Sequence, residues 1–447
     1  MSFENSTITA IATAHGVGSI AIVRTSGPDA LAIAKRLVKK ELAPRKATLA
    51  AIYDQKGELI DEGILIYFKS PHSFTGEDIV EFQVHGGIVV AQKVLEELLA
   101  AGARLAKPGE FSKRAFLNGK IDLTQAEAIA KLIEARSEDA AKILARQMKG
   151  ELQRFVEGVR EDLVRILAYA EVNIDYAEED LPQDLAERMM EQLESIVAKL
   201  RDIVSASRRR AGLIEGFRVA IIGKPNAGKS SLLNKLLAYE RSIVSDIPGT
   251  TRDTIEEQVR IGTHLVRFVD TAGIREAKDE IERIGIERSR KALEESDIVI
   301  AMFDASRPLE EEDRKILELL RHTQKDVIVV LNKIDLGFAV DEKAFEGFEV
   351  LRLSVKESVE PLVKRLEALL DTYADTSELL LVSARQIEAV ERAAEQIEAA
   401  RVPLQLGELE IFAFHINAAI EAIGSITRPM ESGELLDKMF GEFCLGK

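Results

Sequence analysis

The run Gly223-Lys224-Pro225-Asn226-Ala227-Gly228-Lys229-Ser230 fits G-x-x-x-x-G-K-[ST], a pattern whose chemistry is phosphate binding. Its glycines let backbone amides turn inward around phosphate oxygens at a helix N-terminus. Lys229 supplies a point charge to the β- and γ-phosphates, and the Ser230 hydroxyl can ligate Mg²⁺. Further polar runs follow in the order such a site requires. Asp270-Thr271-Ala272-Gly273 offers a carboxylate to hold the metal through water and a glycine amide to sense the γ-phosphate. Asn332-Lys333-Ile334-Asp335 offers a carboxylate for the N1–H and exocyclic amine of guanine, two donors that adenine lacks. Ser354-Val355-Lys356 backs the base from the next loop. Gly249-Thr250-Thr251-Arg252 supplies a threonine that completes the Mg²⁺ shell when GTP is bound. Together these runs predict a site that binds and hydrolyses GTP.

One expected group is missing. In many GTPases a glutamine directly after the D-x-x-G glycine orients the attacking water. Here that residue is Ile274, which neither donates nor accepts. Arg275, Glu276, Asp279, Glu280 and Glu282 lie just downstream, and spacing alone does not choose among them.

The elements that must hold these runs are legible as changes of rhythm. From Phe217 onward, apolar strands (Val219 to Ile222, Leu265 to Val269, Ile298 to Phe303, Val327 to Leu331) alternate with helices, as in a doubly wound sheet. The phosphate run lies between the first of these strands and a helix spanning Ser231 to Leu237. The first 120 residues also mix strands (Ser19 to Val23, Asp78 to Val84) with a helix from Ala91 to Ala101, which predicts an α+β domain. Thr124-Gln125-Ala126-Glu127 reads as a capping box. Apolar residues from Ile129 to Ile166 then recur near a 3.6-residue period, as two helices separated near Gly150. Another helix runs from about Asp184 to Ser207, and the chain is helical again after Tyr373. The expected architecture is multidomain: an α+β domain over 1–120, an all-α helical bundle from 121–215 and 376–447, and an inserted α/β P-loop GTPase domain over 216–375.

Composition sets outer limits. The 447 residues exceed one ordinary domain, and 46% apolar content suffices for packed cores. No apolar run approaches the roughly 20 residues of a membrane span, and no signal-peptide pattern opens the chain, so a soluble cytoplasmic protein is expected. A single cysteine, Cys444, excludes an internal disulfide framework. The net charge of −16 argues against a surface that is everywhere a nucleic-acid platform. Arg208-Arg209-Arg210 is the densest basic cluster, and a solvated helix end explains it at least as well as a local nucleic-acid patch does.

With these runs placed, the chain resembles the MnmE (TrmE) family of tRNA modification GTPases over essentially its whole length. The resemblance is carried by Ser73-Phe74-Thr75-Gly76-Glu77-Asp78, His85-Gly86-Gly87, Pro108-Gly109-Glu110-Phe111-Ser112 and Arg114-Ala115-Phe116-Leu117-Asn118-Gly119-Lys120. Gly249-Thr250-Thr251-Arg252-Asp253, Glu282-Arg283-Ile284-Gly285 and the tail Cys444-Leu445-Gly446-Lys447 extend it. Three runs depart from the family pattern: Ser354-Val355-Lys356, Ser383-Ala384-Arg385-Gln386 and the stretch Ile426 to Glu431.

The resemblance implies more than the residues alone do. Such proteins act with an FAD-dependent MnmG-type partner, as a heterotetramer, to add an aminomethyl or carboxymethylaminomethyl group to C5 of the wobble uridine of certain tRNAs. It implies a homodimer formed by the N-terminal domain and a tetrahydrofolate derivative as one-carbon source. The implied folate contacts are Arg24, Glu81, Lys120 and Lys447, with Cys444 a possible further site residue. The implied GTP-binding set runs over 226–231, 245–251 and 270–273, and ends with Asn332, Lys333 and Asp335. By name these are Asn226, Ala227, Gly228, Lys229, Ser230 and Ser231, then Ser245, Asp246, Ile247, Pro248, Gly249, Thr250 and Thr251, then Asp270, Thr271, Ala272 and Gly273. Ser230 and Thr251 are implied to hold Mg²⁺. Asn226, Ser245, Ile247 and Thr250 are implied to hold a K⁺ ion that takes the place of an arginine finger. Glu282 is implied to orient the water that Ile274 does not. The competing readings are a ribosome-assembly or signalling GTPase acting as a binding switch, and a folate-binding transferase with a merely regulatory GTPase. A single phosphate run with no basic G-x-x-G appendage after the G domain disfavours the assembly factor.

Overall fold

The computed structural model describes residues 6–14, 16–175, 183–241, 257–269, 290–374, 378–428, 433–441, 443 and 446. The chain divides into two compact units. One comprises residues 1–133, 147–193 and 395–447, and the other 134–146 and 194–394.

The first unit is built on a sheet of order β3-β4-β5-β2-β1-β6. Its strands are β1 (Ile8–Ile11), β2 (Ile20–Ser26), β3 (Thr48–Tyr53), β4 (Leu59–Phe68), β5 (Ile79–His85) and β6 (Arg104–Leu105). Neighbouring pairs are antiparallel apart from β1 with β6. Period-two alternation sends Val23, Leu65, Phe82 and Val84 into a core shared with α1 (Ala30–Leu37) and α2 (Ile88–Ala100). The strands expected at 19–23 and 78–84 and the helix at 91–101 are β2, β5 and α2.

After α3 (Glu110–Leu117), a capping box is present two residues earlier than the one expected at Thr124 and Glu127. α4 (Leu123–Glu134) starts one residue before Thr124, which therefore lies within the helix. Asp122 Oδ1 accepts from the Gln125 amide at 3.0 Å, while Gln125 Oε1 accepts from the Asp122 amide at 3.0 Å. Asp122 and Gln125 have the same i, i+3 spacing as Thr124 and Glu127, and aspartate caps at least as well as threonine. Thr124 instead donates to Asp122 from within the first turn. The run expected as two helices is three: α4, α5 (Glu138–Met148) and α6 (Glu151–Asp175). Ser137 makes the extra break, its hydroxyl accepting from the Ala140 amide at 3.1 Å. Of the two breaks, the one at Gly150 is the one expected; a lone serine at 137 gives a periodic run nothing to register.

Helices from both ends of the sequence share the first unit. α6 packs along the helix Leu409–Gly424. The helix Gly433–Gly441 docks on α3 and α4, burying Phe440 with Leu123, Ala126 and Leu436. Lys113 pairs with Asp437 at 2.7 Å across the same junction. Gly109, at φ 65°, lies so near that a Cβ would sit 2.1 Å from the Phe440 carbonyl oxygen. Phe440→Ala is expected to destabilise this unit by about 3–5 kcal/mol in denaturant unfolding, as large-to-small core changes do.

The second unit carries a doubly wound sheet of order β12-β11-β10-β7-β9-β8. Its strands are β7 (Phe217–Ile222), β8 (Glu257–Ile261), β9 (His264–Val269), β10 (Ile298–Asp304), β11 (Asp326–Asn332) and β12 (Glu349–Arg352). All pairs are parallel except β8 with β9. The parallel strands are buried on both faces, which explains why β10 and β11 read as continuous apolar runs. The division into units runs through α7 (Gln183–Arg209) and the helix Ala384–Leu406 rather than at their ends, and assigns α5 to this unit. A short helix, α8 (Ala211–Glu215), leads from α7 into β7. α5 is held in this unit by polar contacts. Asp139 accepts from Thr263 Oγ1 at 3.1 Å and faces buried His264 at 3.3 Å, and His264 meets Asp371 at 2.9 Å. The three arginines at the end of α7 and just beyond it are engaged by protein: Arg208 with Glu391, Arg209 with Ser205 and Arg210 with Glu378.

Candidate nucleotide and folate sites

Strand order fixes where a ligand can sit in the second unit. From β7 the chain first builds β8 and β9 on one side, then β10, β11 and β12 on the other. β7 is therefore the switch point, with its crevice at the carboxyl ends of the strands. The phosphate run leaves β7 at that end and opens α9 (Lys229–Arg241).

The run has the backbone its sequence requires. Gly223 (φ 150°) and Gly228 (φ 109°) lie in the region that side chains avoid, and Asn226 adopts φ 64°, which asparagine tolerates. A Cβ at Gly223 would lie 2.4 Å from the Met302 carbonyl oxygen, and one at Gly228 would lie 2.3 Å from Asn332 Nδ2. The cradle is thus packed from behind by β10 and β11, and only glycine fits. Lys229 Nζ donates to the Gly223 and Lys224 carbonyls at 2.6 and 2.8 Å. Burial pushes its ammonium down to about 8. Asn226, Ser230 and Ser231 are exposed, and Ala227 is buried.

The expected base-recognition run, Asn332 to Asp335, is joined to this loop by one side chain. Buried Asn332 donates from Nδ2 to the Ala227 carbonyl at 2.8 Å and accepts at Oδ1 from the Val355 amide at 2.9 Å. It ties the phosphate loop to Ser354-Val355-Lys356. Lys235 of α9 adds a second tie, donating to the Lys356 carbonyl at 2.7 Å. Lys333 (φ 65°) reaches Asp304 at the end of β10, with Nζ 2.7 Å from Oδ2. Burial opposes ionisation of Asp304, but Lys333 and the Ser306 hydroxyl and amide outweigh it and hold the carboxyl below its ordinary value. Asp335 stands exposed in the short 3-10 turn Ile334–Leu336, its carboxylate open to a base. Asp304 was not singled out in the sequence. An acid closing a buried strand, as in Phe303-Asp304, is the signal that could have found it.

Several expected site residues lie outside the described residues: Ser245 through Thr251, Asp270 through Gly273, Ile274, Glu282, Cys444 and Lys447.

In the first unit, Arg24 and Glu81 are direct cross-strand partners on β2 and β5. The Arg24 Nε and Nη2 atoms donate to Glu81 Oε1 at 2.9 and 2.8 Å, and the guanidinium lies 5.7 Å from the Phe111 ring centroid. Lys120 is placed differently, its Nζ donating to the Pro71 carbonyl at 2.9 Å. The Thr75-Gly76-Glu77 loop is fastened between these positions. Ser26 bonds Thr75 at 2.8 Å and Glu77 at 2.7 Å, Asn118 bonds the Thr75 carbonyl at 2.7 Å, and buried Arg114 forks between Glu77 and Glu110. Sequence reading quoted these runs without seeing that they are held to one another. The chain end reaches the same sheet. Gly446 (φ 90°) sits where a Cβ would meet the Ile11 carbonyl oxygen at 2.3 Å. Ile11 pairs with Val23, the neighbour of Arg24.

Comparison with known proteins decides the family. The model of the MnmE helical domain matches residues 123–444, and that of the GTP-binding protein TrmE N-terminus matches residues 7–120. The chain belongs to the tRNA modification GTPase MnmE family. The MnmE protein of a Nitratiruptor species is 69% identical over 100% of both chains. That of Aliarcobacter butzleri is 60% identical over 100% of both, and that of Wolinella succinogenes 55% identical over 99% of this chain and 98% of its own. No helix among the described residues is long and apolar enough to cross a membrane.

Proposed function

We propose that the chain hydrolyses GTP as one half of a cytoplasmic tRNA-modifying machine. With an FAD-dependent MnmG-type partner it installs an aminomethyl or carboxymethylaminomethyl group on C5 of the wobble uridine. The observation that supports the GTP reading is the Asn332 bridge, whose side chain bonds the Ala227 carbonyl of the phosphate run and the Val355 amide of the Ser354-Val355-Lys356 loop. The inserted G domain spans 216–375. Lys229 neutralises β- and γ-phosphate charge, Ser230 and Thr251 hold Mg²⁺, and Asp335 selects guanine. Asn226, exposed within the loop, would hold a K⁺ ion together with Ser245, Ile247 and Thr250. When bound, K⁺ offsets the negative charge that grows between the β- and γ-phosphates. Glu282 orients the attacking water in place of the absent glutamine.

The N-terminal domain pairs with its copy in a homodimer and holds a tetrahydrofolate derivative. The donor set fits such a ligand: Glu81, held in place by Arg24, suits the pterin's N–H edge, and Lys120 and Lys447 suit its glutamate tail. The approach of Gly446 to β1 supports a tail that completes this site, with Cys444 close to it in sequence.

The test is mass spectrometry of tRNA nucleosides from a strain lacking this chain, complemented with the native gene or with Lys229→Ala. Loss of the C5-modified wobble uridine, restored only by the native gene, is expected. An unchanged nucleoside profile in the deletion strain would overturn the proposal. Hydrolysis that runs equally fast in K⁺ and Na⁺ would remove the cation from it.

A further inference from the structure

Lys224 occupies the second position of the phosphate run, which the pattern leaves open to any residue. Its side chain is only 8% exposed, although lysine is seldom buried without partners. The partners come from the first turn of the helix Glu311–Arg321, α10, and from its cap. Nζ contacts Glu310 and stands 3.6 Å from Asp313 Oδ2 and 3.8 Å from Glu312 Oε2. Glu310 and Asp313 form the capping box of that helix, the Glu310 amide donating to Asp313 at 3.0 Å. Burial would push the Lys224 ammonium down, but these carboxylates outweigh it and hold it above its ordinary value. The carbonyl of the same residue accepts from Lys229 at 2.8 Å. Three carboxylates therefore stand within one lysine's reach of the phosphate cradle, with Lys224 between them and it.

We propose that Lys224 is a positioning residue for GTP: it screens the bound phosphates from the acidic first turn of α10. The inference rests on the nucleotide-site reading above. Carboxylates and phosphates repel, so an anion would bind less well beside an unscreened Glu310, Glu312 and Asp313.

The experiment measures GDP and GTP dissociation constants by fluorescent-analogue titration, with steady-state hydrolysis, on the full chain. Lys224→Met is expected to raise both dissociation constants and KM about tenfold while kcat changes little, and Lys224→Arg to keep most of the affinity. Glu312→Gln, outside the capping box, is expected to tighten GTP about two- to threefold and to recover part of the Lys224→Met loss. A merely structural ion pair would give no such tightening. Unchanged or weaker affinity in Glu312→Gln overturns the proposal, even if Lys224→Met does not fold. Lys229→Ala separates the two levels: normal nucleotide binding there overturns the site reading itself. Loss in Lys229→Ala with no effect of Lys224→Met overturns only the screening role.

Discussion

Replacing Lys229 with alanine is expected to lower kcat/KM for GTP about 10²–10³-fold, the scale on which a preorganised charge at a reacting group acts. The ammonium is buried, held at the mouth of the cradle by the Gly223 and Lys224 carbonyls, and needs no long reorganisation to meet a phosphate. Its environment adds a pH signature. With the ammonium pushed down to about 8, the nucleotide-free site loses its positive charge as pH rises through that value. Phosphate oxygens favour the protonated form, so binding takes up a proton above pH 8. GDP affinity should then fall by up to about tenfold per pH unit between about pH 8 and 10, and Lys229→Met should flatten that slope. Stability moves the other way. The unfolded lysine titrates near 10.5, so between about 8 and 10.5 the unfolded chain binds more protons than the folded one. The contribution of this group to folding therefore rises with pH in that window while affinity declines. Thermal melts and titrations over one pH series check both signs together.

Asp335→Asn is expected to weaken GTP about 10–100-fold, the equivalent of about 1.5–3 kcal/mol for hydrogen bonds to a charged group. The carboxylate is exposed in its turn, so the substitution leaves a surface amide and no buried orphan. Asparagine has one oxygen and one NH₂, so it meets one donor and one acceptor rather than two donors. The base that matches is one with a carbonyl where guanine has its amine. Xanthosine triphosphate should then outcompete GTP on the variant and lose to it on the native chain. Competitive titration with the two triphosphates measures the switch; a variant that still prefers GTP would remove Asp335 from base selection.

The candidate nucleotide site was legible in outline because the chemistry it would perform is local. Phosphate cradling needs glycines at fixed spacing, and guanine selection needs one carboxylate after a buried strand; both leave marks in a one-dimensional string. What joins the two halves does not. Asn332 could be read as part of a motif, but its bonds to Ala227 and Val355 span 105 and 23 residues. Asp304 and Lys224 matter through neighbours brought close by strand order, so neither stood out. In the other unit, Arg24 and Glu81 were named through family resemblance, whereas their mutual ion pair follows from β2 lying beside β5. Helix boundaries failed where two residue pairs of equal spacing competed, as at Asp122 and Thr124, and where a single residue, Ser137, interrupted a helical run.

The Asn332 amide has a thermodynamic corollary. Because one buried side chain is bonded to both the phosphate loop and the Ser354-Val355-Lys356 loop, ordering either loop lowers the entropy still to be lost by the other. Guanosine and pyrophosphate, offered as separate molecules, should therefore assist each other's binding, each raising the other's affinity by the same factor. In an Asn332→Ala chain that mutual assistance should vanish. There the two halves of the nucleotide would bind as strangers.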